Sequence, residues 1–181
     1  MKIIDLGLGI QGVSWAPNID ERGSLTRVFD SELLQNFPKL NQISLVRNSA
    51  VATLRGLHFQ IYPKAESKIV SCLHGRLFDV MIQIEPESSN FGKIVYTELS
   101  AENGINSLVI PEGFAHGYLT LERNTEVLYS MDVPHSKEHA RGIHWSKNDL
   151  NIPWPTKVRK ISQADEDNPS WDEYFNRERS L

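Results

Sequence analysis

The stretch KIVSCLHGRLFDVMIQI, residues 68–84, decides the fold class. It holds two runs of aliphatic, β-branched and aromatic residues, 68–73 and 76–84, broken by His74-Gly75. Both runs have strand length, and such residues fit a pleated, half-buried surface. In 76–84 alternate side chains divide between two faces. Phe78, Val80, Ile82 and Ile84 share one; Leu77, Asp79, Met81 and Gln83 share the other. The second face carries an acid and an amide among apolar neighbours. It either lines a wet interior pocket or is the solvated side of an ordinary sheet, and this strand alone favours neither.

The same pattern continues in both directions. Comparable runs lie at 24–30, 42–47, 53–60, 93–99, 107–110, 116–121 and 125–131. Breakers separate them: Glu21-Arg22-Gly23, Pro86 to Gly92, Asn103-Gly104, Pro111-Glu112-Gly113 and Arg123-Asn124. Many short strands punctuated by turns predict an all-β, double-sheet barrel or sandwich. Helical periodicity is nearly absent; the best helix candidate is 31–37, capped by Asp30 or Ser31 and ended by Pro38. Beyond about residue 132 the chain is rich in Pro, Trp and charge and is expected to wrap the barrel. We expect one domain over 1–181, with a barrel core from about 20 to 132 and an extension from about 133 to 181.

Composition narrows the class. A chain of 181 residues with 40% hydrophobic content suits one domain that buries about two-thirds of its unfolded surface. Nineteen Lys and Arg against 23 Asp and Glu give a net charge of −4 with no basic stripe, so nonspecific nucleic-acid binding is not expected. The lone Cys72 allows no intrachain disulfide and points to a reducing compartment. The N-terminal MKIIDLGLGIQGVSW lacks the apolar core of a signal peptide, and no apolar run approaches the roughly 20 residues of a membrane helix. A soluble cytoplasmic protein with no membrane partner is the expectation.

Six histidines are the first candidates for chemistry. Surface positions are expected for His135, His139 and His144, and a structural turn for His74. His58 and His116 differ, each lying in a compact, glycine-bearing aromatic string: Leu54-Arg55-Gly56-Leu57-His58-Phe59-Gln60 and Pro111-Glu112-Gly113-Phe114-Ala115-His116-Gly117. The Pro-x-Gly-x-x-His string resembles half of the cupin pattern, which implies a jelly-roll barrel with an interior pocket. The other half needs His-x-His, and here reads His58-Phe59-Gln60. Gln60 is a poor ligand for a borderline divalent metal, and two histidines seldom hold one alone. No metal is expected, which leaves the histidines for acid–base or binding work.

A longer ordered series is more specific. Asp20-Glu21-Arg22-Gly23, residues 54–60, Lys68-Ile69-Val70, Gly75 to Val80, Ser88 to Gly92, Leu99 to Asn103, Ile110 to Gly117, Glu126 to Tyr129, Ile152-Pro153-Trp154-Pro155 and Ile161-Ser162 to Asp165 follow one another. Together they resemble the dTDP-4-dehydrorhamnose 3,5-epimerase family from about residue 15 to 170. The resemblance implies a nucleotide-linked 4-keto-6-deoxyhexose as substrate, whose ketone acidifies the C3 and C5 hydrogens, and no cofactor. It implies His58 as the base with Asp165 as its partner, Tyr129 as proton donor on the opposite sugar face, and Lys68 beside the 4-keto oxygen. Arg55 and His116 would bind the sugar and phosphate end, with Gln60 and His135 also in the substrate site. Arg22 would contact the nucleotide. The family's homodimers, in which N-terminal strands cross to the partner, would carry Arg22 to Arg27 into the neighbour's pocket.

Departures from the family pattern gather toward the nucleotide end. Its Asp-x-Arg is Gln83-Ile84-Glu85 here, and an acidic position is Arg27. The Gln-x-Asn element aligns with Ile43-Ser44-Leu45, the thymine-stacking aromatic falls near Pro134-His135, and a basic residue before the dyad acid is Ala164. Altered base recognition is therefore expected, with CDP- or GDP-linked 4-keto sugars, or a deoxysugar epimerised at C3 or C5 only, as candidates. Two competing functions are a sugar-nucleotide-binding cupin without turnover and a metal-dependent cupin oxygenase or isomerase.

Overall fold

The computed structural model describes residues 1–34, 37, 39–147 and 150–178. Among them the strands are β1 (Lys2–Asp5), β2 (Gln11–Ser14), β3 (Asn18–Asp20), β4 (Gly23–Leu25), β5 (Gln42–Asn48), β6 (Leu54–Gln60) and β7 (Lys68–His74). They continue with β8 (Arg76–Gln83), β9 (Ile94–Ser100), β10 (Ser107–Ile110), β11 (Phe114–Thr120), β12 (Thr125–Met131) and β13 (Ala140–Gly142). Two helices follow, α1 (Gln163–Glu166) and α2 (Trp171–Glu178). No helix among the described residues is long and apolar enough to cross a membrane.

Two antiparallel sheets face each other as a jelly roll. One has the order β1-β2-β10-β7-β12-β5, the other β13-β6-β11-β8-β9, and β3 and β4 form a separate hairpin. The strand order interleaves distant segments because from β5 onward the chain changes sheet at every connection except β8 to β9. Val70 and Cys72 of β7, Leu108 and Ile110 of β10 and Val127 of β12 meet Leu77 and Met81 of β8 and Phe114 and Tyr118 of β11 between the sheets. All nine are under a tenth exposed.

The outer face of the five-stranded sheet is covered as well. Leu57, Phe59, Phe78, Val80 and Ile82 pack beneath Trp171 and Phe175 of α2. Trp171 and Phe175 lie one turn apart and both reach Phe91, at ring-centroid separations of 5.0 and 4.8 Å. Each buried aromatic is worth about 1.5–3 kcal/mol. The Ser170 hydroxyl accepts from the Glu173 N–H, and the Glu173 carboxylate accepts from the Ser170 N–H, a capping box that starts α2. Thus β8 is buried on both faces, and its Asp79 face is not the solvated side of a sheet: it turns between the sheets, where Asp79 is fully buried and pairs with the cavity residue His116.

Other expectations are corrected too. The described part of 31–37 is a turn over Ser31–Leu33, whose Glu32 N–H bonds the Asp30 carboxylate; Gln35, Asn36 and Pro38 lie outside the described residues. So short a segment gains too few helical bonds to offset nucleation. The run 24–30 contributes only the end of β4. β1, β2, β3 and β13 were not expected; they are three or four residues long and interrupted by glycines or turns. His144 is buried, 2% exposed, with its Nδ1 accepting from the N–H groups of Ser146 and Lys147.

Candidate active site

A cavity of about 510 Å³ opens between the sheets at the end where β5, β6, β7 and β12 converge. It gathers His58, Asp165, Lys68, Tyr129, Arg55, His116, Gln60 and His135, eight of the ten residues expected from the sequence. The exceptions are Arg22 and Arg27. Arg22 sits at the tip of the β3–β4 hairpin, paired with Asp20 at 2.6 Å, and Arg27 pairs with Asp30 at 2.9 Å. Both are exposed and neither lines this chain's own cavity.

An irregularity in β6 places two of the cavity residues. His116 of β11 pairs with His58 and Tyr118 with Arg55, so three steps on β6 face two on β11. This is a bulge, and Gly56 at its centre has φ +123°. It puts Arg55 and His58, an odd number apart, on the same side. A Cβ on Gly56 would lie 2.5 Å from Gly117 Cα, so the two strands approach where both residues are glycine.

His58 Nε2 lies 2.6 Å from Asp165 Oδ1. Asp165 is delivered by the chain's last third: Leu54 N–H bonds Lys160 O and Arg159 N–H bonds Ala52 O, running this segment alongside the start of β6. Ser162 then caps α1 by accepting from the Asp165 N–H at 3.1 Å. Burial opposes ionisation of Asp165, but the hydrogen bond and charge of His58, with the Gly56 N–H, outweigh it and hold its carboxyl below the ordinary value. The His58 side chain is 53% exposed to the cavity mouth, while that of Asp165 is 8% exposed.

A second histidine–carboxylate pair lies deeper. His116 Nε2 is 2.7 Å from Asp79 Oδ1, both almost wholly buried. Burial pushes the Asp79 carboxyl up, against the pull of His116. The Tyr129 ring stands edge-on to His116, centroids 5.9 Å apart, and 6.4 Å from that of Tyr118. Burial, with Tyr118 and Asp79 alongside, pushes the Tyr129 phenol well above its ordinary value. Behind it the Arg55 Nε donates to Asn48 Oδ1 at 2.9 Å, and Asn48 Nδ2 donates to the Tyr118 hydroxyl at 3.1 Å.

Lys68 points inward from β7, with Nζ 2.8 Å from Glu66 Oε1. Sequence reasoning passed over Glu66, although its spacing of two from an inward lysine on a strand was a usable signal. Gln60 forms wall rather than free surface: its Nε2 donates to Lys64 O and its Oε1 accepts from Ser136 N–H. Gln42 and Ser44 line the cavity, whereas Ile43 and Leu45 are 60% and 42% exposed on the outer face. Among the departures at the nucleotide end, Glu85 lies against Gly113, outside the cavity. Among the described residues no three His, Cys, Asp or Glu side chains are placed to hold a metal ion.

The model of one family, dTDP-4-dehydrorhamnose 3,5-epimerase, matches residues 9–173. The chain belongs to this epimerase family. A dTDP-4-dehydrorhamnose 3,5-epimerase of Sinorhizobium fredii is 38% identical over 157 residues, covering 83% of this chain and 79% of its own. One of Shigella flexneri is 39% identical over 150 residues, covering 81% and 82%. The crystal structure of the Bacillus anthracis enzyme with TDP and PPi bound superposes with a TM-score of 0.88 at 31% identity, covering 93% of this chain and 98% of that one. The Legionella pneumophila epimerase in complex with dTDP-4-keto-L-rhamnose gives 0.86 at 30% identity, covering 93% and 92%. The two crystal structures share the fold of this chain over nearly its whole length.

Proposed function

We propose that this chain epimerises a dTDP-linked 4-keto-6-deoxyhexose at C3 and C5 in deoxysugar biosynthesis. The observation that carries the reading is the convergence of the His58–Asp165 pair, Lys68 and Tyr129 on one cavity. His58 takes a hydrogen from the carbon beside the ketone; Asp165 fixes the imidazole's tautomer and favours the imidazolium that forms. The negative charge moves to the C4 oxygen, where the Lys68 ammonium stabilises the enolate. Tyr129, partly buried in the cavity wall with its phenol held protonated, returns a proton to the opposite face, and proton exchange with solvent restores both groups. Arg55 and His116 bind the sugar and phosphate end.

The choice of dTDP is supported by relatives 38–39% identical that are named for a dTDP sugar. Of the changed positions, Glu85 and Arg27 lie outside this chain's cavity, while Ser44, His135 and Ala164 line it. The test is incubation with dTDP-, CDP- and GDP-linked 4-keto-6-deoxyglucose in D2O, mapping deuterium by NMR. Label at C3 and C5 of the dTDP sugar with inversion is expected. Faster exchange of the CDP or GDP sugar overturns the nucleotide assignment; tight binding with no exchange of any sugar makes the protein a binding module.

The working unit in this reading is a homodimer. The β3–β4 hairpin carries Ile19 and Leu25 at 79% and 74% exposure, with Arg22 at its tip, and β5 leaves a free sheet edge bearing exposed Ile43 and Leu45. Pairing two copies covers these side chains and brings Arg22 to the partner's nucleotide end. A monomer by light scattering at working concentration overturns this. A cytoplasmic site fits the single, buried Cys72.

A further inference from the structure

Glu66 is a charged residue of the cavity with no part in the mechanism above. Glu66 lies two residues before Lys68 at the entry to β7, and both line the cavity. Its side chain is 6% exposed. Oε1 is committed to the Lys68 ammonium at 2.8 Å, while Oε2 is buried and has no hydrogen-bond partner among the described residues. A carboxylate oxygen taken out of water with no donor is costly; on the wall of a substrate cavity, a ligand that brings a donor relieves that cost.

The ionised oxygen only accepts, so the ligand group must carry an O–H or N–H. This step rests on the reading above, in which the C4 oxygen of the sugar meets Lys68. The carbons flanking C4 differ: C5 carries a methyl group, which donates nothing, and C3 carries a hydroxyl. The donor that lies beside the C4 oxygen, within reach of a carboxylate already bound to Lys68, is that hydroxyl. We infer that Glu66 is a specificity-determining residue of the sugar subsite, its Oε2 accepting a hydrogen bond from the 3-hydroxyl of the 4-keto hexose. The site thereby selects sugars hydroxylated at C3 over 3-deoxy sugars, which leave the oxygen unpaired.

The experiment compares dTDP-4-keto-6-deoxyglucose with its 3-deoxy analogue, reading kcat/KM for deuterium incorporation at C5, a centre both sugars share. Wild type, Glu66→Ala and the near-isosteric Glu66→Gln are measured, with folding checked by circular dichroism and ligand Kd by calorimetry. The wild type is expected to favour the hydroxylated sugar by about 10²-fold, and Glu66→Ala to reduce that preference to a few-fold. Should Glu66→Ala fail to fold, Glu66→Gln carries the test, with at least a tenfold loss of preference in kcat/KM and Kd. If each variant slows both sugars equally, Glu66 only holds Lys68 and the inference is overturned. If the wild type exchanges C5 hydrogen from neither sugar, the epimerase reading itself falls and takes this inference with it.

Discussion

His58 Nε2 and Asp165 Oδ1 sit 2.6 Å apart although 107 residues separate them in the chain. The pair is lopsided, with the imidazole open to the cavity and the carboxylate withdrawn behind it. That arrangement suits a base that meets substrate through one nitrogen while the other is anchored.

His58→Asn should therefore abolish deuterium exchange at both C3 and C5, by about 10³-fold or more, while leaving the melting temperature close to that of the parent. Asp165→Asn should lower kcat by about 10²-fold with a smaller change in KM. NMR exchange rates measured beside thermal melts check both. Retained exchange at either carbon in His58→Asn shows that another group acts as base there.

Tyr129→Phe separates the two halves of the reaction. Removing the phenol leaves the first deprotonation intact, so solvent hydrogen should still exchange into recovered substrate while inversion slows by about 10²-fold. Equal loss of exchange and inversion places Tyr129 before proton abstraction.

The lowered Asp165 carboxyl has a pH signature. A carboxyl with a folded pKa below its unfolded one stabilises the fold above the unfolded value, about 3.9, and loses that contribution as pH falls through the folded value. Asp165→Asn should unfold at lower urea than wild type at about pH 6, and the gap should narrow below about pH 4. Urea midpoints across pH check this; a gap that stays constant into acid removes the linkage.

Gly117 tests the strand contact behind the bulge. A Cβ there would lie 2.8 Å from Arg55 O and 3.1 Å from Gly56 Cα, backbone atoms that cannot swing aside. Gly117→Ala should cost about 1–3 kcal/mol and reduce kcat, since β6 and β11 carry His58 and His116. An unchanged urea midpoint contradicts the close approach.

Arg22→Ala probes the hairpin of the proposed dimer. Arg22 lies outside this chain's own cavity, so any effect on turnover would have to come through a partner subunit. KM should rise about tenfold with kcat nearly unchanged. Unaltered kinetics in a dimer exclude the exchanged hairpin.

Legibility followed the physics of each signal. The long strands were visible because hydrophobic runs and Gly- or Asn-containing turns are local, and β10 (Ser107–Ile110) was placed to the residue. β2 was hidden by Gly12 and by its brevity. β8 misled in a different way: alternation shows two faces but not that α2 covers the face of Phe78, Val80 and Ile82 while the other turns between the sheets. Asp165 alone, beside Glu166 and Asp167, reads as solvated charge; only the ordered resemblance linked it to His58. Two local signals went unused, the Ser170–Glu173 capping box and the apolar flanks Ile143 and Trp145 around the buried His144.

Cys72 sits at 0% exposure between the sheets, and burial pushes its thiol up to about 12. Because the thiolate is the reacting species, Cys72 should resist alkylating reagents in the folded molecule, and its modification should wait for an opening, local or global, that exposes it. The protein thus carries its own reporter: the rate at which a thiol probe is consumed should track openings around Cys72, with no label added.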